Sequence, residues 1–219
     1  MIDGQTTEPK QKTRIIPAPM RGLVDDVMRD LLTRIGGYDE CVSEFVRITH
    51  TVHSRSIWLK YVPEIANGNK TFSGTPCTVQ LLGSDADNMA ANALEAVRFG
   101  ADKIDLNFGK TISGCNSVML GRGAVIRPDL ARQIKQYENG GPVKDTDFAE
   151  VSTWIGQFFE LCLTKEANNK YPIARLKQWL GMMKKTFDPA QTLFDRVRTV
   201  KDADEVRRIL NAFEHEMDV

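Results

Sequence analysis

Apolar positions along the first part of the chain alternate between short runs and helical stripes; beyond Glu138 the pattern is helical throughout. Arg14 to Met20 is a short apolar run, and Pro17 and Pro19 place its end at a turn. Asp25 or Asp26 caps a helix through Arg34 that closes at Gly36-Gly37. Tyr38 to Ile48 and Pro76 to Gly83 read as strands, and Asp85 or Asp87 opens an Ala-rich helix through Phe99, stopped by Gly100. Lys103 to Asn107 is a fourth strand and Asn116 to Leu120 a fifth, followed by Gly121-Arg122-Gly123-Ala124. A helix after Pro128 runs to Tyr137. Apolar strands interleaved with helices predict a parallel α/β sheet.

One spacing breaks that rule. Only about eight residues, Phe108 to Cys115, separate the fourth strand from the fifth, whereas a parallel crossover needs a dozen or more. The two strands therefore cannot be consecutive neighbours in a regular βαβ unit: either one is not a strand, or intervening material is absent. Asn139-Gly140-Gly141-Pro142 then reads as a linker. Helices follow over Ala149 to Leu163, from Pro172, from Pro189 to Val200, and over Asp202 to Phe213. Their aromatic and Met residues are most simply the core of a bundle. The expected division is a disordered tail (1–13), an α/β domain (14–138), a linker (139–145) and a helical domain (146–219).

Charge refines this picture more than composition does. The chain has 219 residues with 29 basic and 29 acidic side chains, an ordinary globular balance that excludes wholesale disorder, collagen and coiled-coil rods. Yet Lys170 to Lys201 holds eight basic residues against Asp188 and Asp195, and Asp202 to Val219 holds six acidic against two basic. A basic face on a neutral protein suits a polyanion, because phosphate contacts dominate nucleic-acid affinity; the alternative is a solvated helix face with ordinary charge pairs. No apolar run reaches the roughly 18 residues of a membrane span, and Met1 to Arg14 lack the apolar middle of a signal peptide. A cytoplasmic location is expected. The four scattered cysteines (Cys41, Cys77, Cys115, Cys162) and three histidines (His50, His53, His215) contain no zinc spacing, so no metal is expected.

Candidate chemistry sits at strand ends. Gln80 and Asn107 are polar residues at the close of apolar runs, which in a β/α barrel face the active site. Gly121 to Ala124 lets backbone amides approach a phosphate, although tight turns use the same glycines. Asp102 and Asp105 are paired carboxylates of unspecified geometry.

Several segments together resemble one family. IIPAPMRGLVD (15–25), YDECVSEFVR (38–47), VQLLG (79–83), KIDLN (103–107) and SVMLGRGA (117–124) occur in the order found in tRNA-dihydrouridine synthases. ARLKQWLGMMKK (174–185) is similar to the helical tRNA-binding domain of the family's C branch, which acts on uridine 16. The resemblance implies a flavin-binding (β/α)8 TIM-type barrel followed by an all-α bundle, reducing uridine to dihydrouridine with FMN and NADPH. It places Pro19, Met20, Arg21, Gln80, Gly121 and Arg122 at the flavin, although the family often has Glu or Ala where Arg21 stands. It places Arg47, Asn107, Arg175, Lys177 and Arg198 at the tRNA.

The departures are as specific. After the asparagine the family has Gly-Cys-Pro, whose cysteine protonates the uracil ring; here Phe108-Gly109-Lys110-Thr111 follow Asn107, and Cys115, six residues beyond Gly109, does not inherit the role. No catalytic residue is therefore assigned. The family's fifth-strand lysine, sixth-strand histidine and seventh-strand Asn-Gly segment also lack counterparts. About three βα units are missing at the place where the strand spacing fails. The fold expected is an incomplete barrel of about five strands plus the helical bundle. Its function is uridine reduction by an unfamiliar arrangement, tRNA binding without chemistry, or neither, as a deletion product.

Overall fold

The computed structural model describes residues 12–107, 117–166 and 168–217. In chain order the first half contains β1 (Arg14–Pro17), α1 (Asp26–Ile35), β2 (Cys41–Val42), β3 (Val46–Arg47) and α2 (Arg55–Tyr61). A 3-10 turn, Pro63–Asn67, precedes β4 (Cys77–Leu82), α3 (Ala86–Arg98) and β5 (Ile104–Asn107). Then come β6 (Ser117–Leu120), α4 (Arg122–Ile126) and α5 (Leu130–Glu138). The second half is α6 (Phe148–Lys165), α7 (Lys170–Met183), α8 (Asp188–Val197) and α9 (Ala203–Met217). Segment 108–116, with Cys115 and the expected strand start at Asn116, lies outside the described residues, as does most of the expected tail.

All strand pairs are parallel. β4 is flanked by β2 and β3 on one side and β5 on the other, while β6 lies along β1. The Asp39 N–H donates to the Ile15 carbonyl at 3.0 Å and joins the β1 and β2 segments. The spatial order is thus β6, β1, β2/β3, β4, β5: an open arc, not a closed barrel, among the described residues. β5 and β6 are both strands and are not neighbours, as their short separation in sequence requires. The last strand has instead joined the first, with Arg14 opposite Ser117 and Pro17 opposite Leu120.

Two expectations are corrected, and two short helices are added. The strand over Tyr38 to Ile48 is broken into β2 and β3 by a bulge. Val42 opposes Thr78 and Val46 opposes Leu81, so one extra residue sits on the β2–β3 side. The helix expected from Pro172 begins two residues earlier, at Lys170, where the Asn168 side chain accepts from the Lys170 and Tyr171 N–H groups. Short helices α2 and α4 went unexpected because neither carries a full apolar stripe.

Capping follows the sequence. Asp25 accepts from Met28 N–H at 3.1 Å, Asp85 from Asn88 N–H at 2.8 Å, and Asp202 from Glu205 N–H at 2.9 Å; each satisfies an orphan donor of a first turn. Gly37 has φ +90°, and a Cβ there would lie 2.3 Å from the Ala131 carbonyl carbon, so the turn after α1 must be glycine for α5 to approach.

Two cores form. The smaller lies between the sheet and α2–α3, with Trp58, Ile65, Val79, Leu81 and Ala96 buried. The larger joins α6–α9 to α1 and α4: Met28, Leu31 and Leu32 share it with Phe158, Phe159 and Trp179. Segment 139–145 carries no helix or strand, but the larger core spans residues on both sides of it. Among the described residues no helix is long and apolar enough to cross a membrane.

Candidate functional site

The C-terminal ends of the parallel strands form one rim. After β1, the Ala18 N–H donates to the Leu120 carbonyl at 2.8 Å, which ties the turn carrying Pro19, Met20 and Arg21 to the end of β6. Gly121 and Arg122 follow directly from β6, with Arg122 exposed. The turn closes through the Met20 carbonyl, which accepts from Leu23 and Val24 N–H at 3.0 and 2.8 Å. The Arg21 guanidinium lies over the Phe45 ring, 5.5 Å from its centroid.

The middle of the rim is built around Gln80, which is 4% exposed. Its backbone N–H donates to the Ser43 hydroxyl at 3.0 Å, a bond made possible by the bulge. Its side chain is pinned at both ends: Nε2 donates to Asp105 at 2.6 Å, and Oε1 accepts from Asn107 Nδ2 at 3.2 Å. Fixing the amide this way leaves it one further N–H and one further lone pair. One layer toward the strand starts, Glu40 accepts from the Thr78 hydroxyl at 2.6 Å and pairs with Arg14 and, at 3.9 Å, Lys103. The inner face of the arc is therefore polar, while its outer face is the smaller core.

Beside Asn107 a cleft of about 900 Å³ opens between the ends of β3, β4 and β5 and the start of α3. Arg47, His50, Ser84 and Asp85 stand among its lining residues, with Met89, Ala93 and Leu106 supplying apolar surface. Arg47 is exposed, and its carbonyl accepts from the His53 ring Nε2 at 2.9 Å.

The helical half distributes its basic residues unevenly. Arg175, expected at a nucleic-acid surface, is turned inward and is only 7% exposed. Its guanidinium donates to the Gly22 carbonyl at 3.0 Å, the Leu23 carbonyl at 2.7 Å and Asp25 at 3.1 Å. Burial alone would raise the Asp25 carboxyl; Arg175, the Tyr171 hydroxyl and Lys165 outweigh it and hold that carboxyl below the usual range. Lys177 donates to the Val200 carbonyl at 2.7 Å, and partial burial together with nearby Lys201 lowers its ammonium. Arg198 is exposed, 3.8 Å from Asp195. Arg196 is committed to Glu216 through two bonds of 2.8 Å.

The structure thus groups Pro19 to Arg21 with Gly121-Arg122, and Gln80 with Asn107, along one rim. Lys177 and Arg198 sit apart on the helical half. Glu44, which sequence reading missed, accepts from the Gly22 N–H; only the bulge, invisible in a strand-like run, aims it there. The described cysteines are all buried: Cys41 and Cys77 oppose each other at strand starts, and Cys162 lies in the larger core. Burial pushes the Cys162 thiol up to about 12.

Comparison with known proteins agrees in outline. The sequence model of the family described as dihydrouridine synthase (Dus) matches residues 16–109, ending just beyond β5. The chain is 63% identical over 333 positions to a tRNA-dihydrouridine(16) synthase of Neisseria meningitidis serogroup A, with both chains covered completely. A tRNA-dihydrouridine(16) synthase of Aquipseudomonas alcaligenes is 28% identical over 311 positions, covering 90% of this chain and 98% of the relative. One from Ralstonia nicotianae is 45% identical over 122 positions, which is 56% of this chain and 37% of the relative. Alignments of over 300 positions exceed the 219 residues of this chain.

Proposed function

Because the chain belongs to the dihydrouridine synthase family, we propose that it is a shortened tRNA-dihydrouridine(16) synthase that retains tRNA binding and one flank of a flavin site. The missing length falls between β5 and β6, where the strand spacing fails and the family match ends. The single observation that carries this reading is the pairing of β6 with β1. It keeps Gly121-Arg122 beside the turn of Pro19 to Arg21, although the strands that would complete a TIM-type barrel have no counterpart among the described residues. In the same reading residues 14–138 are the remnant of the barrel domain, 139–145 a linker and 146–219 the tRNA-binding domain.

The donor set fits part of an FMN molecule. The Gln80 amide, with one donor and one acceptor to spare, suits the polar edge of a flavin ring; Arg122 and the Gly121 amide suit its phosphate. Pro19, Met20 and Arg21 would form the adjoining wall. FMN reduced by NADPH supplies hydride when bound. This chain's own part is to hold and orient: Asp105 and Asn107 fix the amide of Gln80, and Asn107 with Arg47 borders the cleft where RNA would enter. No described cysteine stands at the rim to give a proton to the ring carbon, since Cys41 and Cys77 lie at strand starts and Cys162 in the larger core. Binding of tRNA without normal turnover is therefore the function the geometry supports best. Turnover is a second reading, favoured by the pinned Gln80.

The visible absorption spectrum of the purified chain tests the flavin flank. Stoichiometric flavin is expected, and a folded protein without it would leave tRNA binding alone. Binding of unmodified tRNA across a salt series tests the other half. Replacing Lys177 and Arg198 with Ala should weaken affinity and reduce the salt slope by about one unit per lost phosphate contact. An unchanged slope would reject that surface.

A further inference from the structure

The turn after β1 is gripped from two directions at one residue. The Gly22 N–H donates to Glu44 from the β2–β3 bulge, and the Gly22 carbonyl accepts from Arg175 and Gln178 of α7, each at 3.0 Å. Arg175 spreads its fork further, over the Leu23 carbonyl and the Asp25 carboxylate, and bonds to Gln178 on its own helix. Gly22 has φ +72°, a left-handed conformation that glycine adopts freely and leaves as freely, so the turn needs external restraint to keep one shape. Glu44 is 9% exposed and Arg175 7%, so on their side these bonds are made from partly desolvated groups, for which an unmade bond is costly.

We infer that Glu44, Arg175 and Gln178 are positioning residues that clamp the turn of Pro19 to Arg21, making α7 of the helical half part of the cofactor site. The assignment of that turn to flavin rests on the function proposed above; the clamp itself rests on the hydrogen bonds. Arg175 suits the task because its planar fork addresses two successive carbonyls and a carboxylate at once, which a lysine cannot. The bulge suits it because the extra residue carries Glu44 to the turn while Ser43 takes over the Gln80 N–H. Two residues expected at the flavin, or leading to it, are thereby held by adjacent positions of one bulge.

The test uses the full-length chain, with hydrogen–deuterium exchange of segment 18–24 and titration with FMN followed by flavin fluorescence and absorption maximum. Gln178 is exposed, so Gln178→Ala should keep the global urea midpoint while exchange in the turn rises. Glu44→Ala should raise exchange and weaken FMN by about tenfold, the loss of one partly buried charge-assisted hydrogen bond. Glu44→Gln, which retains an acceptor oxygen, should restore most of both. Arg175→Lys should shift the absorption maximum of bound flavin. Unchanged exchange in Glu44→Ala and Gln178→Ala overturns the clamp, as does faster exchange with unaltered FMN affinity. Faster exchange in a chain whose unsubstituted form takes up no FMN upholds the clamp and removes the flavin reading.

Discussion

Asp25 shows how much one side chain can carry in this protein. It caps α1, pairs with Arg175 at 3.1 Å and accepts from the Tyr171 hydroxyl at 2.7 Å. Its carboxyl is held below the ordinary value of 3.8, so the stability it contributes is present above that value and is lost as pH falls through the lowered one. Asp25→Asn should therefore unfold at lower urea than the parent at neutral pH, yet lose less on acidification; midpoints measured from pH 6 downward through 3.8 check both. Arg29 and Glu64 form a second buried pair, bidentate at 2.8 and 2.9 Å. Burial would lower the Arg29 guanidinium, but Glu64 reverses the sign and keeps it charged. Glu64→Gln should cost about 3–5 kcal/mol in urea denaturation because it strands a buried charge. Arg29→Met with Glu64→Leu should cost less than Glu64→Gln alone, a comparison that separates charge from packing.

Among the elements, α1 is the one whose surroundings were least legible. Its limits followed from Asp25 and Gly36-Gly37, because capping is local chemistry. That it would pack against α6 and the rest of the helical half did not follow, because apolar spacing shows that a face is buried and not against what. Leu31→Ala should cost about 2–5 kcal/mol. Since Leu31 shares one core with Phe158 and Trp179, the loss should appear in both halves as a single cooperative transition in tryptophan fluorescence and circular dichroism. The bulge at Ser43 to Phe45 was hidden for a similar reason: register belongs to a pair of strands, and one strand's sequence cannot state it. With it were hidden Glu44 and the inward turn of Arg175. Gln80 and Asn107 were legible because a polar residue ending an apolar run is an anomaly at one position.

For the molecule as a whole, the gap in strand spacing was the most informative feature, since geometry forbids a short parallel crossover whatever the residues. Its result is an arc with two outer edges, on β5 and β6, that no described strand covers. Leu106 on β5 and Leu94 and Val97 on α3 are 43%, 67% and 53% exposed. Edges of this kind invite pairing between chains. Sedimentation equilibrium should show mass rising with concentration, and Leu106→Lys should suppress the rise; a monomer at all concentrations would mean the edge is covered.

The union of β6 with β1 also divides the polypeptide in an unexpected way. Residues 12–107 share β1 and α1 with partners in 117–217: β1 pairs with β6, and α1 packs with α4 and α6–α9, while β1 stays joined to the β2 segment and Arg29 of α1 to Glu64. Every described strand pair other than β1 with β6 lies within the first segment. A nick between 107 and 117 would thus sever no described strand pair. It would leave two fragments related as lock and insert, the second lacking a wall for its bundle until the first supplies one. Mixed in solution they should reconstitute one particle, because the information that joins them lies in α1 and β1 and not in the peptide that connects them.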